Sequence, residues 1–220
     1  MIKKGLVLIV AFLLCINLFA ATFNVNTTND THAVTPLAGT GLDASGNISF
    51  RSAIEAANAV GGNHTINVPA GTYNLTLGMI IMFDRVQNIT IIGVSPANTI
   101  INMTNTLQDR ILLIGDSGTQ ANMVTSISNM TFQNGRLAAD NFGGGAIIAG
   151  GPSCALTLTN CIFSNNTVPT LPAGGAPSGG AVAFYPGGTL TIDNCTFSNN
   201  TVQGTNQAGG AVYANFYNNA

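Results

Sequence analysis

The chain is 220 residues long, carries a formal net charge of -2, and is only 6% charged, against roughly 25% in ordinary globular domains. It has no cluster of Lys and Arg able to neutralise a run of phosphates, which excludes nucleic acid as a partner. Polarity rests instead on Asn, Thr, Ser and Gly, a composition suited to exported β-structure with neutral polar faces.

Residues 1–21 stand apart. Lys3 and Lys4 precede an apolar run from Gly5 to Phe19, and Ala20-Ala21 supply the small residues of a cleavage site. That three-part layout is a secretory signal peptide. The run is shorter than the roughly 20 apolar residues that span a bilayer, and Leu14 before Cys15 is too large for lipoprotein processing. Cleavage near Ala20 or Ala21 removes both lysines and leaves Arg51, Arg85, Arg110 and Arg136 against 8 acidic residues. The implied localisation is secreted, extracellular or at the cell surface.

Residues 22–78 read as a cap. Residues 22–25 alternate as a short strand, and 26–46 are an irregular loop rich in Thr, Asn, Asp, Gly and Pro. Phe50, Ala53, Ile54 and Ala57 then fall at i, i+3, i+4 and i+7, the stripe of an amphipathic helix over 49–60. Ser49 is placed to cap its start, and Gly61-Gly62 to end it through left-handed backbone angles. A strand over 65–68, a Pro69-Ala70-Gly71 turn and a strand over 72–77 complete the segment.

From residue 79 the chain repeats itself. Val86-Gln87-Asn88-Ile89-Thr90-Ile91 is followed by Ile127-Ser128-Asn129-Met130-Thr131-Phe132, Leu158-Thr159-Asn160-Cys161-Ile162-Phe163 and Ile192-Asp193-Asn194-Cys195-Thr196-Phe197. The apolar positions are the first, fourth and sixth, whereas unbroken alternation sets the first, third and fifth on one face. The phase slips at the Asn, a residue that tolerates left-handed backbone better than most. Strand, Asn bend, strand is therefore the unit. These Asn residues lie 41 apart (88 to 129), then 31 (129 to 160) and 34 (160 to 194).

A second phrase interleaves with the first: Gly144-Gly145-Ala146-Ile147, Gly179-Gly180-Ala181-Val182 and Gly209-Gly210-Ala211-Val212. Such periods suit a coil of three short strands, stacked on its neighbours in parallel at roughly 4.8 Å. The expected fold over 79–220 is all-β: a right-handed, single-stranded parallel β-helix with Asn, Phe and Gly-Gly-Ala ladders. The amphipathic helix covers the open core and strand edge of its first coil. Insertions collect in one turn, and residues 167–178 form such a loop. After Tyr213 the pattern calls for another phrase, so a longer protein is expected.

The segment Ile48-Ser49-Phe50-Arg51-Ser52-Ala53-Ile54, with Ala57-Asn58 and Pro69-Ala70-Gly71-Thr72-Tyr73, resembles the CSLREA-type N-terminal module of exported bacterial surface proteins. Ile48 stands where that pattern has Cys, and Ser52 where it has Glu. The later repeats, Gly179 to Val182 and Phe197-Ser198-Asn199-Asn200 most closely, are similar to those of polymorphic outer-membrane proteins on a pectin-lyase-like β-helix. The resemblance implies a surface-displayed stem, adhesin or passenger, ending in an anchor or outer-membrane barrel beyond Ala220.

The chemistry is sparse. Cys161 and Cys195 fall one coil apart, at a Cα separation a disulfide allows but with side chains pointing the same way. They read as small buried apolar residues, and a bond between them stays open. Cys154 has no partner, and His32 and His64 read as loop residues, so neither metal nor cofactor is expected. Asp84-Arg85 and Asp109-Arg110 each precede an apolar strand. Stacked, the two acids approach what a calcium-dependent lyase or a hydrolase requires.

Asp116, Asp140 and Asp193 are scattered, and no acid joins a His. The Asp-Arg pairs therefore read as salt bridges and turn residues on the outer wall, and no residue is assigned a catalytic, cofactor-binding or metal role. The expected function is a non-catalytic β-helical stem or adhesin. Its loops meet a host-cell, matrix or glycan surface, and it reaches a membrane only through a C-terminal anchor or barrel. The alternative is a carbohydrate-active enzyme, a polysaccharide lyase or hydrolase.

Overall fold

The computed structural model describes residues 20–82, 86–104, 106–115, 123–137, 143–151, 153–170, 178–185, 187–204 and 208–215, with backbone alone at 86 and 87. Every named strand pairs in parallel with the strand one coil away, in three sheets and a small ribbon. The first sheet stacks Ala20–Asn24, Gly62–Val68, Val86–Gly93, Val124–Ser128, Ala155–Thr159 and Thr189–Asp193. The second stacks Gly71–Leu75, Thr99–Met103, Thr131–Gln133, Ile162–Ser164 and Thr196–Ser198. The third stacks Ile80–Met82, Leu112–Ile114, Ile147–Ala149, Val182–Phe184 and Val212–Ala214. The chain visits the three in turn, making a parallel β-solenoid of about four turns, as expected from the period.

Inside, like stacks on like. Ile66, Ile91, Ile127 and Leu158 are register partners from coil to coil, and all four are fully buried. Burying each such side chain stabilises by about 1.5–3 kcal/mol. Phe132, Phe163 and Phe197 form the expected aromatic ladder, with ring centroids 5.4 and 5.0 Å apart and planes within 13° and 7°. In the Gly-Gly-Ala phrase the first glycine adopts φ +81, +59 and +60 at positions 144, 179 and 209. A Cβ at Gly145 would sit 2.4 Å from the Gly180 carbonyl oxygen, so the second glycine answers to close packing of successive coils.

The helix is Phe50–Val60, with Ser49 as its cap. Ser49 Oγ accepts from the Ser52 amide at 3.0 Å, and Ser52 Oγ accepts from the Ser49 amide at 2.9 Å. Ser52 thereby fills the place a Glu takes in the usual capping box. Gly61 and Gly62 end the helix at φ +66 and +102. Its buried stripe of Phe50, Ala53, Ile54 and Ala57 joins the solenoid core, as a cap requires.

Three expectations need correction. The phrase at 86–91 does not belong to the bend series: Asn88 lies within the unbroken strand Val86–Gly93 and pairs with Val124. Since Ile92 pairs with Ser128, the position equivalent to Asn129 is Gly93, which stays in the strand without a left-handed φ, and the first interval is 36 residues (93 to 129). A Cβ at Gly93 would come within 2.2 Å of the Asn129 carbonyl oxygen, which is why no Asn stands there. Next, the strand expected over 72–77 stops at Leu75, because the amides of Thr76 and Leu77 turn to the Asp30 carboxylate. Finally, the strand expected from residue 65 begins at Gly62 and takes in His64, and that expected from 22 begins at Ala20, paired with Asn63.

Phe163 sits between two stacked rings, so Phe163→Ala should destabilise the chain by about 3–5 kcal/mol in chemical denaturation. Phe197→Ala should cost less, because Phe197 is already partly exposed.

Candidate functional site

The corners between first and second sheets are made by Asn129, Asn160 and Asn194, at φ +60, +50 and +49. The amide of Asn160 donates to Asn129 Oδ1 at 2.8 Å, and that of Asn194 to Asn160 Oδ1 at 3.2 Å. A second set of corners, absent from the sequence reading, follows the second sheet at Asn134, Asn165 and Asn199, with φ +61, +56 and +54. Just beyond it, Asn166 is completely buried. It accepts from the Gly135 amide and donates to the Phe132 carbonyl and to Asn200 Oδ1, while Asn200 donates to the Phe163 carbonyl. The doublets Asn165-Asn166 and Asn199-Asn200 are the signal: the first Asn turns the chain and the second points inward to satisfy it.

Four charged residues stand in the cap, Asp30, Asp43, Arg51 and Glu55. Arg51 Nε meets Asp30 Oδ1 at 2.6 Å, with the two side chains only 4% and 1% exposed. The guanidinium also donates to the carbonyls of Gly78 and Met79, and Asp30 Oδ2 takes the amides of Thr76 and Leu77. This network ties the loop before the helix, the helix itself and the second sheet into one clasp. Glu55 holds the same loop through His32 Nδ1 at 2.6 Å and the Ala33 amide at 2.8 Å. Asp43 accepts from the Asn47 and Ser45 amides and from Thr31 Oγ1, and the Asn47 bond leads in holding its carboxyl below the usual range.

His32 lies in a loop as expected, but His64 does not. It is buried in a strand against Phe23, with ring centroids 5.8 Å apart, and Nε2 donates to the Gly61 carbonyl at 2.7 Å. Burial depresses its pKa, against the raising effect of the Gly61 bond.

Of the two Asp-Arg pairs, Asp84-Arg85 lies outside the described residues, as do Asp116 and Asp140. Asp109 is engaged structurally: Oδ2 accepts from the Met79 amide and Oδ1 from the Arg110 amide, both at 2.9 Å, which clasps one coil to the next. Arg110 corrects the outer-wall reading, since it is only 1% exposed and lies inside the solenoid. Asp193 sits on the outer face of the first sheet, in the last described coil.

Cys154, Cys161 and Cys195 are free thiols. Burial pushes Cys154 up to about 11 and Cys161 up to about 12, so both are protonated and poor as nucleophiles or metal ligands. Among the described residues, no group of three His, Cys, Asp or Glu side chains could hold a metal ion.

The expected loop over 167–178 is shorter than it looked. Thr167–Val168 is a strand paired with Thr201–Val202, Val168 is fully buried, and Ser178 is buried and bridges Ala208. Only 171–177 lie outside the described residues.

Parallel coils turning on left-handed Asn corners, with amide and ring ladders inside, define a parallel β-helix. Residues 80–220 match the family described as "Right handed beta helix region", well over half of the chain, and the chain belongs to that family. The match opens at the first strand of the third sheet and leaves the helical cap outside it. No curated protein and no solved structure matches the chain.

Two predictions follow from the cap. Asp30→Asn leaves the Arg51 guanidinium buried without its counter-charge, and should cost about 3–5 kcal/mol in denaturant unfolding. His64 has a folded pKa below its unfolded value, so the unfolded chain binds the proton first. Stability is full above the ordinary value of about 6.5 and falls as pH drops through it toward the depressed folded value. Thermal melts from pH 8 to 5 should show that loss in the native chain and not in His64→Gln, compared with each protein's own value at pH 8.

Proposed function

We propose that this chain is the non-catalytic β-helical stem of an exported, surface-displayed protein of adhesin or passenger type, which presents turns to a host-cell, matrix or glycan surface. The observation that carries this reading is how four of the five acids among the described residues are employed. Asp30 is committed to Arg51 and two backbone amides, Asp43 to a turn, Glu55 to His32, and Asp109 to the Met79 and Arg110 amides. A polysaccharide lyase needs acids free to hold calcium, and a hydrolase needs two facing carboxylates. Carboxylates so engaged with backbone amides, His32 and Arg51 are placed for neither.

Two further features support display. The sequence resemblance to the CSLREA-type module and to polymorphic outer-membrane proteins points the same way, as does the signal-peptide layout of residues 1–21. The strand at Thr167–Val168 fixes one end of the inserted stretch to the solenoid and the Ser178–Ala208 bridge fixes the other.

Replacing 171–177 with a Gly-Ser linker of equal length should leave the melting temperature within a degree or two and lower binding to cultured cells, matrix proteins or a glycan array. Unchanged binding would sink the turn as the contact. Release of unsaturated uronates or reducing ends from a polysaccharide panel, lost in Asp109→Ala, would move the reading to the carbohydrate-active enzyme.

A further inference from the structure

Just past the Asn corners, a column of sulfur runs through three successive coils. Thr159 pairs with Asp193 and Ile162 with Thr196, so Cys161 stands opposite Cys195 one coil on. On its other side the same position is held by Met130. Met130 and Cys161 are buried in the core, and Cys195 packs against it while staying partly exposed. Neither the stem nor its turns makes use of this pair of thiols.

In-register stacking sets the two Cα atoms roughly 4.8 Å apart, inside the range of about 4.4–6.8 Å that a disulfide spans. Both sulfurs lean over the preceding coil. Cys161 Sγ lies 3.3 Å from the Thr159 carbonyl oxygen and 3.7 Å from that of Ile127. Cys195 Sγ lies 3.3 Å from the Asp193 oxygen and 3.4 Å from that of Leu158. The Leu158 contact carries the Cys195 sulfur back over the coil that holds Cys161, and the two thiols act on each other directly. A turn of Cys161 about χ1, at the expense of its two weak carbonyl contacts, brings its sulfur onto that of Cys195.

Cys154 is no rival partner. Its own counterparts in the neighbouring coils are Met123 and Gly188. The strand Ala155–Thr159 separates it from Cys161 by roughly 16 Å or more, beyond the reach of a disulfide.

We propose that Cys161 and Cys195 form a redox site, closed by a disulfide oxidant into a bond that staples the last described coil to the one before it. That coil has the most to gain. Thr189–Asp193 and Thr196–Ser198 are edge strands, paired on one side only, and the core-lining Leu190 and Phe197 are partly exposed. The bond closes a loop from 161 to 195 and so restricts the opened chain.

The chemistry is two successive exchanges. The partly exposed Cys195, as thiolate, attacks one sulfur of a small disulfide such as oxidised glutathione. The oxidant's S–S bond breaks and one glutathione leaves. Cys161 then gives up its proton to solvent and attacks Cys195 Sγ of the mixed disulfide, which expels the second glutathione. Two thiols are oxidised by two electrons, one oxidised glutathione is reduced to two thiols, and the protons lost by the protein are matched by those the leaving groups take up. Burial makes Cys161 a poor nucleophile in general, but here its target is already in contact. Register and contact carry the site. Export only supplies the oxidising surroundings, so the site and the proposed function can fail separately.

The test uses the full chain in oxidised glutathione and in dithiothreitol. Each sample is quenched in acid, alkylated with N-ethylmaleimide under denaturing conditions, and mapped by digestion and mass spectrometry. Cys154 should take the label in both, and Cys161 and Cys195 only after dithiothreitol, their peptides otherwise joined. Cys154→Ser should form the same bond, and Cys195→Ser should leave Cys161 labelled throughout. Native chymotrypsin should cut after Phe197 or Tyr213 at least about tenfold more slowly in the oxidised chain, a difference absent from Cys195→Ser. Equal labelling of Cys161 and Cys195 in the two buffers overturns the proposal, as does glutathione left on Cys195 beside a free Cys161. So do dimers joined through Cys195, and a joined chain cut as fast as the reduced one. A bond that forms in glutathione but is absent from chain taken directly from cells supports the site and counts against export.

Discussion

The constraint on which everything else depends is that each coil rests on a copy of its own plan. Parallel, in-register stacking puts a residue about 4.8 Å from its counterpart above and below, so each ladder position must tolerate its own kind as a neighbour. Apolar side chains, aromatic rings, hydroxyls and amides pass that condition. Like charges do not: two at that distance repel by about 1 kcal/mol even in water, and by more where solvent is thinned. The 6% charge of the chain is a consequence. Asp193, in the last described coil, is the one charged residue in any described strand.

The cap escapes that constraint, and its charges can close on one another. Asp30, Asp43, Glu55 and Arg51 all lie before the second coil, where no counterpart is stacked on them. A buried ion pair is a poor source of net stability but a demanding one in geometry. Between Arg51 and Asp30 it does what a ladder cannot, which is to fix one non-repeating loop and one helix at a single place on the first coil. His64 fits the same account: a buried imidazole kept neutral against Phe23 belongs to an irregular end and not to a series.

Much of this was legible. The slip of phase at the Asn predicts a corner, and Asn129, Asn160 and Asn194 adopt the left-handed angles it requires. The Phe ladder and the capping helix follow from spacing alone. The phrase at 86–91 misled because it carries the same letters without the bend. Its Asn88 faces outward along an unbroken strand, while the register position of Asn129 is held by Gly93, where the next coil comes too close for a side chain. Nor does residue type reveal that Arg110 is buried or that Asp109 takes the Met79 amide, because both depend on what a neighbouring coil brings alongside.

The sequence by itself determined the parallel β-helix, its ladders and its cap, because a repeat that must stack on itself writes its periodicity and its intolerance of charge directly into the residues. The tertiary structure alone decided the register. That choice, made by which side chains fit between successive coils, closed Arg51 on Asp30 across the cap and turned Asn166 inward to serve three backbone and amide partners. The partners in each case lie from about twenty to more than thirty residues apart, and no local pattern joins them until the coils are stacked.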